Sequence, residues 1–229
     1  MWLTLLWILY LMRASWFYSF ATTSLAFLFP LLTRWNVEFR GPLPSGPLIV
    51  MVNHSGFLDP ALVNNSLKRR VIFLAKQELF DKNRVASWIT QHYGGIRLNR
   101  GRLNRDSLRL AESVLGQGGA IGVFPEGTRS HSGVLQRGQR GAALLAIQSR
   151  VPIVPVALVG TEKLNRWYHL FLRPSIDVIV GEAFVLPIGT EDSRKAQTSN
   201  ATTMIMEKIA SLLPEHRRGA YIGCVPSTH

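Results

Sequence analysis

From residue 48 onward, short runs of aliphatic and β-branched residues recur between stretches of helical periodicity, and most of these runs are apolar at consecutive rather than alternate positions. A strand that is apolar on both faces has to be covered on both faces, so strands of this kind alternating with helices predict an α/β domain with a mixed central sheet flanked by helices. The expected strands are 48–53, 71–75, 95–98, 120–124, 153–159 and 176–180. Between them, Leu108, Ala111, Val114 and Leu115 share one helical face ahead of Gly118 and Gly119, and Ala142, Leu145, Ala146 and Ser149 share another. A last helix, 194–213, brings Ala201, Ile205, Ile209 and Leu212 together and stops before Pro214.

A different texture precedes this domain. Arg13 is the only charged residue before Arg34, and residues 14–33 form an uncharged run of 20. At 1.5 Å per residue, such a run reaches roughly the 30 Å of a bilayer core. Two arrangements satisfy it: one spanning helix, or two shorter helices, 2–12 and 15–29, dipping into a single leaflet with Arg13 reaching back to the headgroups. Trp2, Trp7, Trp16, Phe17, Tyr18 and Trp35 suit the interface that the second arrangement requires, and the monotopic hairpin is the expected one. A cleaved signal peptide fits poorly, because no basic segment precedes the apolar run. The expected division is therefore a membrane-associated helical segment, 1–35, and an α/β domain, 36–229. Arg34, Arg40 and the later basic residues place that domain on the cytoplasmic face of an inner membrane by the positive-inside rule.

The formal net charge of +12 attracts polyanions, whether nucleic acid, anionic lipid or phosphorylated small molecules. Nucleic acid would account for the arginines between Arg97 and Arg109 but not for the apolar N-terminus, and no recognition motif accompanies them, so no nucleic-acid partner is expected. Cys224 is the only cysteine, which rules out an intrachain disulfide and a cysteine-rich metal centre. Neither a metal nor a bound cofactor is expected.

Three segments at strand ends carry chemistry. Asn53-His54-Ser55-Gly56-Phe57-Leu58-Asp59-Pro60 follows an apolar strand, the usual place for ligands in α/β sheets. A turn between His54 and Asp59 lets the carboxylate fold back on the imidazole, fix its tautomer and stabilise the imidazolium. Equally, Asp59 before Pro60 reads as an ordinary helix cap with proline in the first turn. In Phe124-Pro125-Glu126-Gly127-Thr128-Arg129-Ser130, the charges, the glycine and the hydroxyl suit a phosphate and an alcohol, or a polar turn held by its own Glu–Arg pair. Arg97 and Arg100 lie at a third strand end.

Read together with Val151-Pro152-Ile153-Val154-Pro155-Val156-Ala157-Leu158, these blocks resemble, in order and separation, the glycerolipid acyltransferase family over about residues 50–160. The resemblance implies that His54 and Asp59 are catalytic. It further implies that Glu126, Gly127, Thr128 and Arg129 bind the glycerol phosphate of the acceptor, joined by Arg100. It implies transfer of an acyl group from acyl-CoA or acyl carrier protein to the sn-2 hydroxyl of 1-acyl-sn-glycerol 3-phosphate, with membrane lipids and a lysophospholipid acceptor as partners. Two positions depart from the family pattern: Gly56 stands where serine is frequent, and Asn99 stands where aspartate is.

Overall fold

The computed structural model describes residues 16–76, 93, 95–98, 105–187 and 193–224. Within them lie strands β1 (Arg34–Phe39), β2 (Leu48–Val52), β3 (Val71–Lys76), β4 (Ile96–Leu98), β5 (Ala120–Val123), β6 (Ile153–Val159) and β7 (Ser175–Val180). The helices are α1 (Trp16–Leu32), α2 (Asp59–Leu67), α3 (Arg105–Gly116), α4 (Arg140–Ser149) and α5 (Arg194–Ala210), with short 3₁₀ turns at Thr161–Asn165 and Trp167–Leu172. One seven-stranded sheet runs β1-β7-β6-β2-β5-β3-β4. Pairing is parallel from β6 through β2, β5 and β3 to β4, turns antiparallel between β6 and β7, and is parallel again between β7 and β1.

The continuous apolar runs are buried for the reason the sequence gives. All five residues of β2 have zero exposure, and alternate side chains enter different cores. Ile49 and Met51 pack with Ile121, Ile153 and the inner faces of α3, α4 and α5. Leu48, Val50 and Val52 pack on the other side with Val154, Val178 and, from α2, Val63 and Leu67. Helices therefore leave the adjacent strands β2 and β5 towards opposite faces of the sheet. The carboxyl ends of those two strands therefore form a topological switch point, the place where α/β sheets usually receive ligands.

The six expected strands appear as β2 to β7 with ends within one residue of expectation. Strand β1 is an addition. Its Trp35 and Val37 pack on the core while Arg34, Asn36 and Glu38 face outward, an alternation suited to an edge strand. Flanked by Arg34 and Arg40, this short alternation carries only two apolar core residues, too weak a period of two to mark a strand in the sequence. The last helix ends at Ala210 rather than at residue 213, although Leu212 and Leu213 still enter the core.

Of the two N-terminal arrangements, the single spanning helix has no counterpart among the described residues. No described helix is long and apolar enough to cross a membrane. Helix α1 has 17 residues and is not a free rod. Tyr18 and Phe29 are buried against the domain, Phe29 stacking edge-on to Trp35 at 5.6 Å. Thr33 then closes the helix, its hydroxyl donating to Phe29 O at 2.6 Å. The first helix of the expected hairpin falls in residues 1–15, outside the described residues.

A buried amide couples α1 to the sheet. Asn64 Oδ1 accepts from Tyr18 Oη at 2.9 Å and from Val71 N at 2.7 Å. Its Nδ2 donates to Pro60 O at 2.9 Å and Val71 O at 3.2 Å. Removing a side chain that satisfies buried donors costs about 1–3 kcal/mol for each group left unpaired. Asn64→Ala is expected to lower the unfolding free energy by about 2–4 kcal/mol in urea titrations; a change below about 0.5 kcal/mol would show that the network contributes nothing.

Candidate active site

Asn53, the first residue past β2, stitches that strand end to β6. Its Nδ2 donates to Leu158 O at 2.9 Å and its Oδ1 accepts from Leu158 N at 2.7 Å, an amide imitating a strand pair. The chain then turns back on itself around Asp59, the first residue of α2. The buried Asp59 Oδ2 accepts from Ser55 N and Gly56 N, each at 2.8 Å, and lies 2.8 Å from His54 Nδ1. An oxygen that already accepts from two N–H groups serves Nδ1 as an acceptor too. Nδ1 therefore carries the proton, and the Nε2 lone pair is left to act as a base. Among the described residues no hydrogen-bond partner reaches Nε2, and the imidazole is 18% exposed. The helix-cap alternative for Asp59 does not hold, since its carboxylate faces back into the loop and makes no capping bond in α2, whose second residue is the expected Pro60.

The loop after β5 supplies a second carboxylate, and it too is turned inward. Glu126 Oε1 accepts from His54 N at 2.7 Å and Oε2 from Gln136 N at 2.8 Å. Ser130 N adds a bond to His54 O at 2.7 Å. The backbone of His54 is therefore gripped on both sides by the loop that carries Glu126. Burial pushes the Glu126 carboxyl up to about 7, with the nearby Asp59 adding to the rise, while the two backbone donors pull the other way.

The ring of His54 is also held from one face. It stacks on Phe124 at 3.9 Å between centroids and 16° between planes, and Phe124 stacks in turn on Phe73 at 5.0 Å. Gly122 makes this column possible, because a Cβ there would meet the Phe73 ring at 2.5 Å. Gly56, the departure from the serine pattern, has no space for a side chain either: a Cβ would meet Asp59 Oδ1 at 2.6 Å and Thr161 O at 2.7 Å.

Of the sequence-derived site residues, His54, Asp59 and Glu126 come together as described. Gly127 turns the loop with φ +71°, its N–H donating to Phe124 O at 3.0 Å. Thr128 is exposed and Arg129 half-buried on the same loop. Among the described residues, no ion-pair partner meets the Arg129 guanidinium and none links it to Glu126. Arg100 and Asn99 lie outside the described residues, as does the Arg97 side chain.

Sequence reasoning missed the supports of the site. Phe124 and Asn53 were visible as motif residues, but their partners are remote in sequence. The 3₁₀ turns Glu215–Arg217 and Gly219–Tyr221 near the C-terminus are a further support: Leu135 N donates to Arg217 O at 2.9 Å and Gly138 N to Tyr221 Oη at 3.2 Å. Arg217 forks onto Glu162 at 2.9 and 3.2 Å, tying the C-terminal turns to the turn after β6.

The raised Glu126 carboxyl makes a pH prediction. Between its ordinary value of 4.5 and about 7, the folded chain holds a proton that the unfolded chain has released. Stability from this group is therefore complete below about pH 4.5 and declines as pH rises through about 7. Urea midpoints between pH 5 and pH 8 should show that decline in the wild type and a flatter profile in Glu126→Gln; parallel profiles would assign the slope to another group.

The acyltransferase family model matches residues 34–159, the stretch that contains β1 to β6 and both loops of the site. The chain is similar to 1-acyl-sn-glycerol-3-phosphate acyltransferase alpha of Homo sapiens, 37% identical over 132 residues covering 54% of this chain and 45% of that protein. It is also similar to 1-acyl-sn-glycerol-3-phosphate acyltransferase of Bacillus subtilis, 26% identical over 72% of this chain and 81% of that one. The matched stretch thus spans under half the length of the human relative. In fold it is similar to the crystal structure of the 1-acyl-sn-glycerophosphate acyltransferase of Thermotoga maritima, with a TM-score of 0.58 and 22% identity over 82% of this chain and 78% of that one. With the matched model covering more than half of its residues, the chain belongs to the acyltransferase family.

Proposed function

We propose that this chain transfers a fatty acyl group from acyl-CoA or acyl carrier protein to the free sn-2 hydroxyl of 1-acyl-sn-glycerol 3-phosphate, forming phosphatidic acid at the cytoplasmic face of a membrane. The observation that carries the reading is the imidazole of His54, oriented by Asp59 through Nδ1 at 2.8 Å and by the Phe124 stack, with no hydrogen-bond partner on Nε2 among the described residues. The names of the relatives support the choice of acceptor.

A neutral alcohol is too weak an acid to ionise before it reacts. His54 Nε2 takes its proton as the hydroxyl oxygen attacks the thioester carbonyl; the tetrahedral intermediate then expels the thiolate, which leaves with that proton as the free thiol. Asp59 stabilises the imidazolium between these steps. A positioned base of this kind contributes typically about 10²–10⁴-fold. The donor arrives already activated, so no acyl-enzyme intermediate is required. Glu126, with both oxygens on backbone donors, contributes by holding the His54 loop to the loop bearing Arg129. The guanidinium of Arg129, with Gly127 and Thr128 beside it and joined by Arg100, would hold the acceptor phosphate. That contact supplies orientation. The N-terminal segment would lie on one leaflet, where both acceptor and product reside.

With purified protein, His54→Ala should abolish acyl transfer to lysophosphatidic acid, and wild-type rates in that variant would sink the proposal. Phe124→Leu should lower kcat about tenfold with KM unchanged, because it loosens the base without touching the acceptor. Arg129→Ala should raise KM about tenfold for the phosphorylated acceptor and leave KM for a neutral lysolipid unchanged. If glycerol 3-phosphate were acylated faster than lysophosphatidic acid, the acceptor assignment would move to that alcohol.

A further inference from the structure

The turn Trp167–Leu172 carries apolar side chains outward. Phe171 is 80% exposed and Leu172 73%, with Tyr168 also exposed. This is not a loose end. His169 Nδ1 lies 3.0 Å from Lys163 O, and Arg166 Nη1 donates to Tyr168 Oη at 2.6 Å. Residues 161–174 contain one acid, Glu162, and it is occupied by Arg217. Lys163, Arg166 and Arg173 are exposed around the apolar side chains.

Topology fixes where this turn sits. It joins the carboxyl end of β6 to the start of the antiparallel β7, so it lies on the same sheet edge as the loops after β2 and β5. Asn165 fastens it to the catalytic loop, donating from Nδ2 to Ser55 O at 2.8 Å and accepting from Phe57 N at 3.0 Å. Arg173 fastens it to α1, donating to Pro30 O at 3.0 Å. On α1, Trp16, Phe20, Phe27 and Leu31 are exposed and fall within an arc of roughly 60°, opposite the buried Tyr18 and Phe29. An outward aromatic and aliphatic surface ringed by cations, on a chain of net charge +12, is complementary to an anionic bilayer, whose interface takes ring and hydrocarbon inward while the cations stay at the headgroups.

We propose that the turn Trp167–Leu172 is a second lipid-contact element which, with α1, seats the sheet edge bearing His54 against an anionic membrane. Asn165 then transmits the depth of that contact to the catalytic loop. The inference rests on the membrane half of the proposed function, and not on the identity of the acceptor.

The test uses the full chain with Cys224→Ser and Leu172→Cys, labelled with an environment-sensitive fluorophore and mixed with phosphatidylglycerol–phosphatidylcholine vesicles containing doxyl-labelled lipid. The expected result is a blue shift with quenching at position 172, at least about threefold weaker with phosphatidylcholine alone. A label at Gln148, on the opposite sheet edge, should be unaffected, and one at Phe20 should be quenched. Quenching at 20 without quenching at 172 overturns the inference and leaves the N-terminal anchor standing. A blue shift at 172 without lipid quenching, together with a doubled mass in solution, identifies a second copy as the occupant and also overturns it. Phe171→Asp with Leu172→Asp should reduce transfer to acceptor in vesicles about tenfold while sparing transfer to acceptor in detergent micelles. Equal rates in vesicles overturn the proposal, whereas failure of the wild type to acylate lysophosphatidic acid in micelles removes the functional reading and leaves the quenching result intact.

Discussion

A single buried oxygen, Asp59 Oδ2, organises the loop on which the site is built. Its bonds to Ser55 N and Gly56 N curl five residues of chain into a tight return, and the same atom then takes up Nδ1 of His54. The return brings the loop backbone hard against Asp59 Oδ1 and Thr161 O, so that no Cβ fits at position 56. Orientation of the imidazole and conformation of the loop are thus one event. A side chain holding two backbone donors cannot rotate away from the histidine without leaving both unpaired, at a cost of about 1–3 kcal/mol each.

The rest of the frame serves to keep that loop in register with its neighbours. Strand β2 lies between β5 and β6, and a polar side chain clamps its carboxyl end to each. Asn53 joins it to Leu158 of β6, while Glu126 and Ser130, beyond the end of β5, grip the His54 backbone. Burying the Glu126 carboxyl is costly, as its raised proton affinity records, and the gain is a fixed separation between two loops whose helices depart towards opposite faces. The ring column from Phe73 through Phe124 to His54 carries the packing of the core out to the imidazole.

What the sequence made legible follows the range of each interaction. Consecutive apolar runs placed six strands within one residue at each end, because burial on both faces is a local pattern. The five-residue spacing of His54 and Asp59 was legible for the same reason. Glu126 was harder. In sequence it stands beside Arg129 and invites a charge pair, yet the fold turns it towards His54 N, 72 positions earlier, and Gln136 N. Asn53 and Asn165 act across 105 and 110 positions, and no local pattern announces a partner at that distance. Strand β1 was within reach, since Trp35 and Val37 alternate with polar neighbours, but a short alternation beside charged residues reads equally well as a linker.

The antiparallel step between β6 and β7 has a consequence for how the chain meets its surroundings. Had β7 been parallel to β6, the connection would have crossed a face of the sheet, and residues 161–174 would have begun at the site and ended at the far edge. Reversal keeps the whole connection beside the site. It also brings the start of β1, which is parallel to β7, to the same edge, so that α1 arrives there as well. Arg173 on Pro30 O and Asn165 on the His54 loop are short-range bonds only because the sheet has gathered these segments onto one side. Apolar exposure on α1 and on the turn after β6 thereby shares an edge with His54 and Asp59, while the exposed Gln148 and Arg150 lie on the opposite edge, where α4 leads into β6. The reversal of one strand direction is what gathers α1, the turn after β6 and the His54 loop onto one edge of this sheet.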